Sequence, residues 1–473
     1  MQAIRSEPIN VSPFRRGSKR GLYEIVWRLA ILALPWQTRW FLDAQIAGWP
    51  WEQGRISLYI SWLPLLLAIV LGFFQTKKDL PLKFRRNIFW LVAALGVCSV
   101  LAMPSPNTAA IQWWVQVMLL VTFFITLIRT DIPVRKIAFW FVMSLVPHAL
   151  LAVWQFATQT VIGSSWLGMA SQNPADLGVS VVQTVGGRFL RAYGGFPHPN
   201  ILGGWMAVGL LVALTFFSSP FLLLGGRKGR GIEGAAMHRM VQGAAMVWLL
   251  EGLFTLALFY SFSRSAWLAL AAGLTLFVIL NAGEGSAKRA KRWLLSLAIP
   301  LILFTALAVI NRDLVLTRAD VQTSRLEQKS ITSRVQSLKD GVDVFKSKLF
   351  FGTSPNTELP ALVRLRGIQN STAPLEPPHM VWLLILVNFG IAGAMVILGF
   401  GIYFFLWLLK RWKSLDAHNK ILIITLSSFY FLVSSLDHYP WSLWSGQVLS
   451  VIIIFFIFDF ASPKLLTDEP ERV

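Results

Sequence analysis

The sequence predicts an all-α fold: a polytopic membrane helical bundle of about twelve transmembrane helices, with one long, partly helical loop on the outer side. Three observations predict it. Hydrophobic residues fill 55% of 473 positions and charged residues only 14%, against roughly a quarter charged in soluble proteins. Apolar stretches of roughly 20 residues, the length that crosses a bilayer, recur along the whole chain. The 43 Lys+Arg outnumber the 23 Asp+Glu, for a net charge of +20, and they fall in short clusters between the apolar stretches. This pattern excludes a soluble enzyme, a secreted disulfide scaffold and a disordered chain. Nucleic acid is not an expected partner, because its binders gather their basic residues in one patch. The single cysteine, Cys98, excludes an intrachain disulfide.

In order, the expected spans lie near 22–42, 57–75, 87–103, 112–128, 137–158, 200–224, 242–260, 265–281, 293–310, 380–409, 421–434 and 442–460. The first contains Arg28 and Arg39, and the eleventh is short. Alternate connections carry very different charge. One set, from the N-terminal segment to the tail after 460, holds 27 Lys and Arg, whereas the opposite short loops hold 4: Arg55, Arg188, Arg191 and Arg264. Basic loops stay in the cytoplasm, so both termini are expected there. The first apolar stretch lacks a small-residue cleavage site and reads as an anchor. The chain thus divides into nine spans over 1–310, an outer loop over 311–378, three spans over 379–460 and a cytoplasmic tail over 461–473.

The outer loop carries ten basic and seven acidic residues. Within it Val335, Leu338, Val342, Phe345 and Leu349 recur at spacings of three and four, which predicts an amphipathic helix. Ser333 is its expected N-cap. The helix is expected on the membrane surface or against the bundle. The stretch FFGTSPNTELP that follows is rich in turn formers.

Outer loops disfavour arginine, so Arg188 and Arg191 in RFLRAYGGFPHPN, and Arg264 in SFSRSAW, call for a reason. Guanidinium groups fork onto phosphate oxygens, and a lipid-linked diphosphate at the outer interface supplies one; snorkelling to headgroup phosphates is the plainer alternative. Pro199 suits a first helical turn, with His198 or Asn200 as cap, and a helix N-terminus there attracts anions. His379 opens the tenth span after APLEPPH, where an imidazole can serve as a general base. Asp437 and His438, in LDHYPW, can hold sugar hydroxyls or orient a base, or can simply cap a short loop. Glu251 and, more weakly, His148 are intramembrane titratable groups, a functional signal by default. No acidic or His/Cys cluster reads as a metal site, and no Walker loop or GxSxG elbow occurs. No metal and no cofactor are expected.

RFLRAYGGFPHPNILGG, SFSRSAWLAL, PPH with VNFGIAG, and the loop elements Ser333–Arg334 and FFG together resemble the bacterial O-antigen ligase/polymerase superfamily over about residues 185–400. Met380 follows the histidine where the ligase pattern has Asn, Ser or Gln. The resemblance implies a GT-C-like membrane glycosyltransferase in the bacterial inner membrane, inverting and metal-independent, with its active site on the periplasmic or extracellular face. It implies transfer of a glycan from undecaprenyl diphosphate to an acceptor hydroxyl on a glycan, lipid core or protein, with membrane lipids as surroundings. Carried over by motif, Arg191 and Arg264 bind diphosphate, Arg188 and Arg334 contribute, and His379 is the base. A polymerase of the same superfamily is the nearest alternative. A lipid transporter or flippase is the alternative of another class, though no internal repeat of the transporter kind occurs.

Overall fold

The computed structural model of the chain describes residues 13–75, 82–103, 107–217, 234–283, 287–320 and 324–462. Of the expected basic connections 76–86, 225–241 and 282–292, residues 76–81, 225–233 and 284–286 lie outside the described residues, as do 218–224 of the expected sixth span and the tail beyond 462. The helices are α1 (Pro13–Ala33), α2 (Trp62–Gln75), α3 (Leu82–Ala102), α4 (Thr108–Arg129), α5 (Val134–Thr158), α6 (Pro199–Phe217), α7 (Gly234–Tyr260) and α8 (Arg264–Gly283). They continue with α9 (Ala287–Ile310), α10 (Arg312–Ala319), α11 (Arg325–Ser347), α12 (Glu358–Arg366), α13 (Val381–Trp412), α14 (Ala417–Leu436), α15 (Tyr439–Ser442) and α16 (Trp444–Ala461).

Every expected span falls on a helix for at least part of its length. Among the described residues, eight helices are long and apolar enough to cross a membrane, or nine if the bent pair α9–α10 forms one span; Trp62–Phe74 and Ala245–Tyr260 are shorter apolar helices. The chain is a polytopic helical membrane protein.

The first expected span, 22–42, is corrected. α1 stops at Ala33, and the chain enters β1 (Arg39–Leu42), antiparallel to β4 (Ile56–Tyr59). Pro35 explains the stop, since it lacks an N–H and disfavours helix in the residue before it. Arg39 then lies beside Glu52 at 2.6 Å and Tyr59 Oη at 3.0 Å, not in a span. Two more two-stranded sheets occur among the described residues, β2 (Gln45–Ile46) with β3 (Trp49–Pro50) and β5 (Val181–Thr184) with β6 (Gly187–Leu190).

The core is centred on α6, which packs on α5, α7 and α8. Trp205 is fully buried, stacks on Phe141 and Phe196, and donates from Nε1 to the Ser445 carbonyl at 3.2 Å. α16 is also buried on most sides. Peripheral helices instead expose apolar residues such as Leu63 and Phe73 on α2, Val100 on α3, Ile302 on α9 and Met395 on α13. Such exposure is ordinary where lipid tails are the solvent.

The outer loop begins with an 89° bend between α9 and α10. Its amphipathic helix exists, but the face and the cap differ from expectation. α11 starts at Arg325, so Ser333 lies inside it and points its Oγ toward Glu376 Oε2 at 3.4 Å. Ser337, Gly341 and Val344 are the buried residues of that segment, while Val335, Val342 and Leu349 stay exposed. Gly341 decides the rotation, because it lets α11 approach Pro378 and Leu383 closely.

α13 is broken at Gly390, whose φ of 62° is left-handed. The freed backbone groups are satisfied by the FFGTS segment: Thr353 N donates to Val387 O at 2.9 Å, Ser354 N to Asn388 O at 2.8 Å, and Ala392 N to Phe350 O at 3.0 Å. A Cβ on Gly390 would collide with the Phe350 carbonyl, and one on Gly352 with the Val387 carbonyl. Glycine is therefore required on both sides of this joint. It pins the loop against the helix that begins just after His379.

Candidate active site

Five separated segments meet at one end of the bundle. Arg191 follows β6, Arg264 opens α8, Arg334 lies midway along α11, His379 precedes α13, and Asp437 and His438 join α14 to α15. Strand pairing delivers Arg191: its N–H donates to Ser180 O at 3.1 Å, and that of Ala192 donates to Tyr260 O at 2.9 Å. A tight turn at Phe262, with φ of 45°, delivers Arg264.

Arg191 is buried. Its Nε donates to the Ser261 carbonyl at 2.8 Å and its Nη2 to Asn200 Oδ1 at 2.6 Å. Asn200 passes the chain on, donating from Nδ2 to Asp437 Oδ2 at 2.8 Å. Arg334 donates to the Leu436 carbonyl at 3.2 Å and stands 4.0 Å from the same carboxylate oxygen. Asp437 Oδ1 accepts the His438 N–H at 2.9 Å and lies 3.5 Å from His379 Nδ1, an ion-pair distance longer than a formed hydrogen bond. His379 Nε2 is 3.3 Å from Glu376 Oε2. The His438 ring stands edge-on to His379 at 4.9 Å, with its Nδ1 2.6 Å from Ser442 Oγ.

The cap of α6 is His198: its Nδ1 accepts the Asn200 N–H at 3.1 Å, and its Nε2 lies 3.3 Å from Ser180 Oγ. Asn200 is thus freed to bridge Arg191 and Asp437. Arg188 is not brought in; it donates to the Asp176 carbonyl at 3.0 Å. The strand itself explains this, since residues three apart point to opposite faces and Arg191 takes the inner one. Glu251 and His148 are buried within α7 and α5, and the His148 ring stands 4.8 Å from Phe196.

The electrostatics differ from group to group. Burial disfavours the charged form of Arg191, and the Arg318 charge adds to this. A guanidinium does not give up its proton, and among the described residues Arg191 makes no ion pair, so the site holds an uncompensated cation that an anion would stabilise. Burial also opposes charge on His379, but contact with the Asp437 and Glu376 carboxylates outweighs it and pushes the imidazole up to about 9. Asp437 would be raised by burial, yet His379, His438 and Arg334 hold it well below the usual carboxylate range. Burial, then the neighbouring His379 charge, pushes His438 down to about 4; burial and Arg191 push His198 to about 3.

His379, Asp437 and His438 each offer one donor atom, all within 4.8 Å of one another, a spacing that could hold a metal ion. Arg334 and Arg191 beside them oppose a dication. The site can instead take a polyanion on its arginine side and move a proton on its histidine side.

Sequence reasoning missed Glu376 and the pair Arg318–Glu327. Arg318 Nη1 lies 2.5 Å from Glu327 Oε1, and Arg264 Nη1 lies 2.9 Å from Glu327 Oε2. Glu376, three residues before His379 and quoted in APLEPPH, was within reach of a spacing argument; Arg318 and Glu327 carry no local signal.

Residues 244–398 match the family model described as O-Antigen ligase. The segment holds Arg264, Arg318, Glu327, Arg334, His379 and the α13 break, whereas Arg191, Asn200, Asp437 and His438 flank it. No match was found among curated proteins. Over this third of the chain the sequence is similar to that family, in line with the resemblance carried by its motifs.

Proposed function

We propose that the protein is an O-antigen ligase-like glycosyltransferase at the outer face of the bacterial inner membrane. It moves a glycan from undecaprenyl diphosphate to an acceptor hydroxyl. The observation that carries this reading is the gathering of three arginines from separate segments: Arg191 joined through Asn200 to Asp437, Arg334 4.0 Å from the same carboxylate, and Arg264 close enough to Arg334 to feel its charge. Arg191 and Arg264 hold the diphosphate, and Arg334 supports them. As the glycosidic bond to phosphate breaks, the charge on the leaving diphosphate is stabilised by these fixed donors, a role that elsewhere falls to metals.

The acceptor oxygen attacks the anomeric carbon from the opposite side and inverts it. Its proton passes to His379, whose ring Asp437 orients. Glu376 is the more exposed of the two carboxylates, and its place at Nε2 is the one the acceptor hydroxyl takes. His379 must first be neutral, which its doubly paired state opposes at pH 7. His198, Asn200 and His438 line the same zone and position Arg191, Asp437 and the acceptor.

The test is transfer of labelled glycan from an undecaprenyl-diphosphate donor in detergent, with and without a separate acceptor. Transfer requiring the second acceptor supports a ligase. Ladders from donor alone would assign the same chemistry to a polymerase. No glycan transfer under either condition would return the flippase alternative.

A further inference from the structure

Arg264 is the most exposed arginine of the site, and a long side chain at a tight turn loses rotamer freedom only if something holds it. What holds it is a closed set of contacts from the outer loop. Arg264 Nη1 donates to the Arg318 carbonyl at 3.1 Å and pairs with Glu327 Oε2 at 2.9 Å. Glu327 Oε1 pairs with Arg318 Nη1 at 2.5 Å, and Arg318 Nη2 donates to the Phe262 carbonyl at 3.0 Å, two residues before Arg264. Arg318 and Glu327 are both buried, at 8% and 2% exposure, whereas the Arg264 side chain is 32% exposed. The pair is therefore fixed and Arg264 is the member with a free side.

We infer that Arg318 and Glu327 are positioning residues that lock the Arg264 guanidinium toward the phosphate site, so that the outer loop, through α10 and α11, assembles the donor-binding half. This rests on the proposed role of Arg264 with diphosphate. Glu327 neutralises Arg318, which leaves Arg264 and Arg191 as the net positive charge facing the ligand. The loop residues act through Arg264 and do not touch donor.

The test is a double-mutant cycle on binding of undecaprenyl diphosphate to the detergent-solubilised full chain. Glu327→Gln keeps the shape and removes the charge; Arg318→Lys keeps the charge and removes the fork. Each should raise the Kd about tenfold or more, as misplacement of a contact group does. Combined with Arg264→Ala, each should add less than about twofold, because coupled residues are non-additive. A merely structural role would lower the melting temperature and remain additive. Unchanged Kd in both single variants, or full additivity, would overturn the inference alone. An unchanged Kd in Arg264→Ala would overturn the diphosphate role beneath it.

Discussion

The two halves of the site solve opposite problems of charge. On the arginine side, Arg264 and Arg318 share one buried carboxylate, Glu327, and among the described residues Arg191 has only neutral hydrogen-bond partners. On the histidine side the ratio is reversed: His379 lies between Asp437 and Glu376, and His438 is kept neutral. The first half is short of anions and the second holds a proton tightly. The first half is suited to an anion and the second to proton transfer, which is why the comparison, more than any single residue, supports the group transfer proposed above.

The largest effect should come from the histidine side. His379→Ala is expected to lower turnover by about 10²–10⁴, the usual worth of a general base, while binding of donor lipid is retained. Equal turnover in the purified variant would remove the base assignment. On the arginine side, Arg264→Lys keeps the charge but loses the fork, and charge-assisted hydrogen bonds are worth about 1.5–3 kcal/mol. Donor affinity measured by titration should drop by roughly one to two orders of magnitude; equal affinity would show that only net charge matters there.

A pH profile separates the halves without disturbing the fold. Only the neutral imidazole accepts a proton, so kcat/KM should climb with pH until His379 is deprotonated, near 9. The Asp437 carboxylate helps to raise that value; Asp437→Asn should therefore move the rising limb to lower pH while reducing the plateau. A limb that stays in place would detach Asp437 from His379. The smallest effect should come from EDTA, which is expected to leave the rate unchanged; loss of activity with rescue by magnesium would turn the His379–Asp437–His438 trio into a metal site.

How legible each half was follows from the kind of signal its residues leave. Apolar stretches announce helices regardless of context, and all twelve expected segments fall at least partly on helix. Arg191, Arg264 and His379 stood out because arginine in a short outer loop and histidine at a span end are unusual placements. Arg318 and Glu327 stand in a loop where charges of both signs are common, and their pairing depends on the 89° bend that folds α10 back. The rotation of α11 was hidden for a related reason. Periodicity marks an apolar stripe, but close approach at Gly341 chose a different face. At 34–42, apolar composition looked like a continuing span, and Pro35 ended it.

The most direct measurement is binding of undecaprenyl diphosphate to the purified protein and to Arg191→Gln. Glutamine can still donate a hydrogen bond, but it carries no charge. The account predicts saturable binding by the parent chain and a loss of about tenfold or more in the variant, the scale of a charge-assisted contact. Equal affinity in both would mean that the buried cation is not there for phosphate.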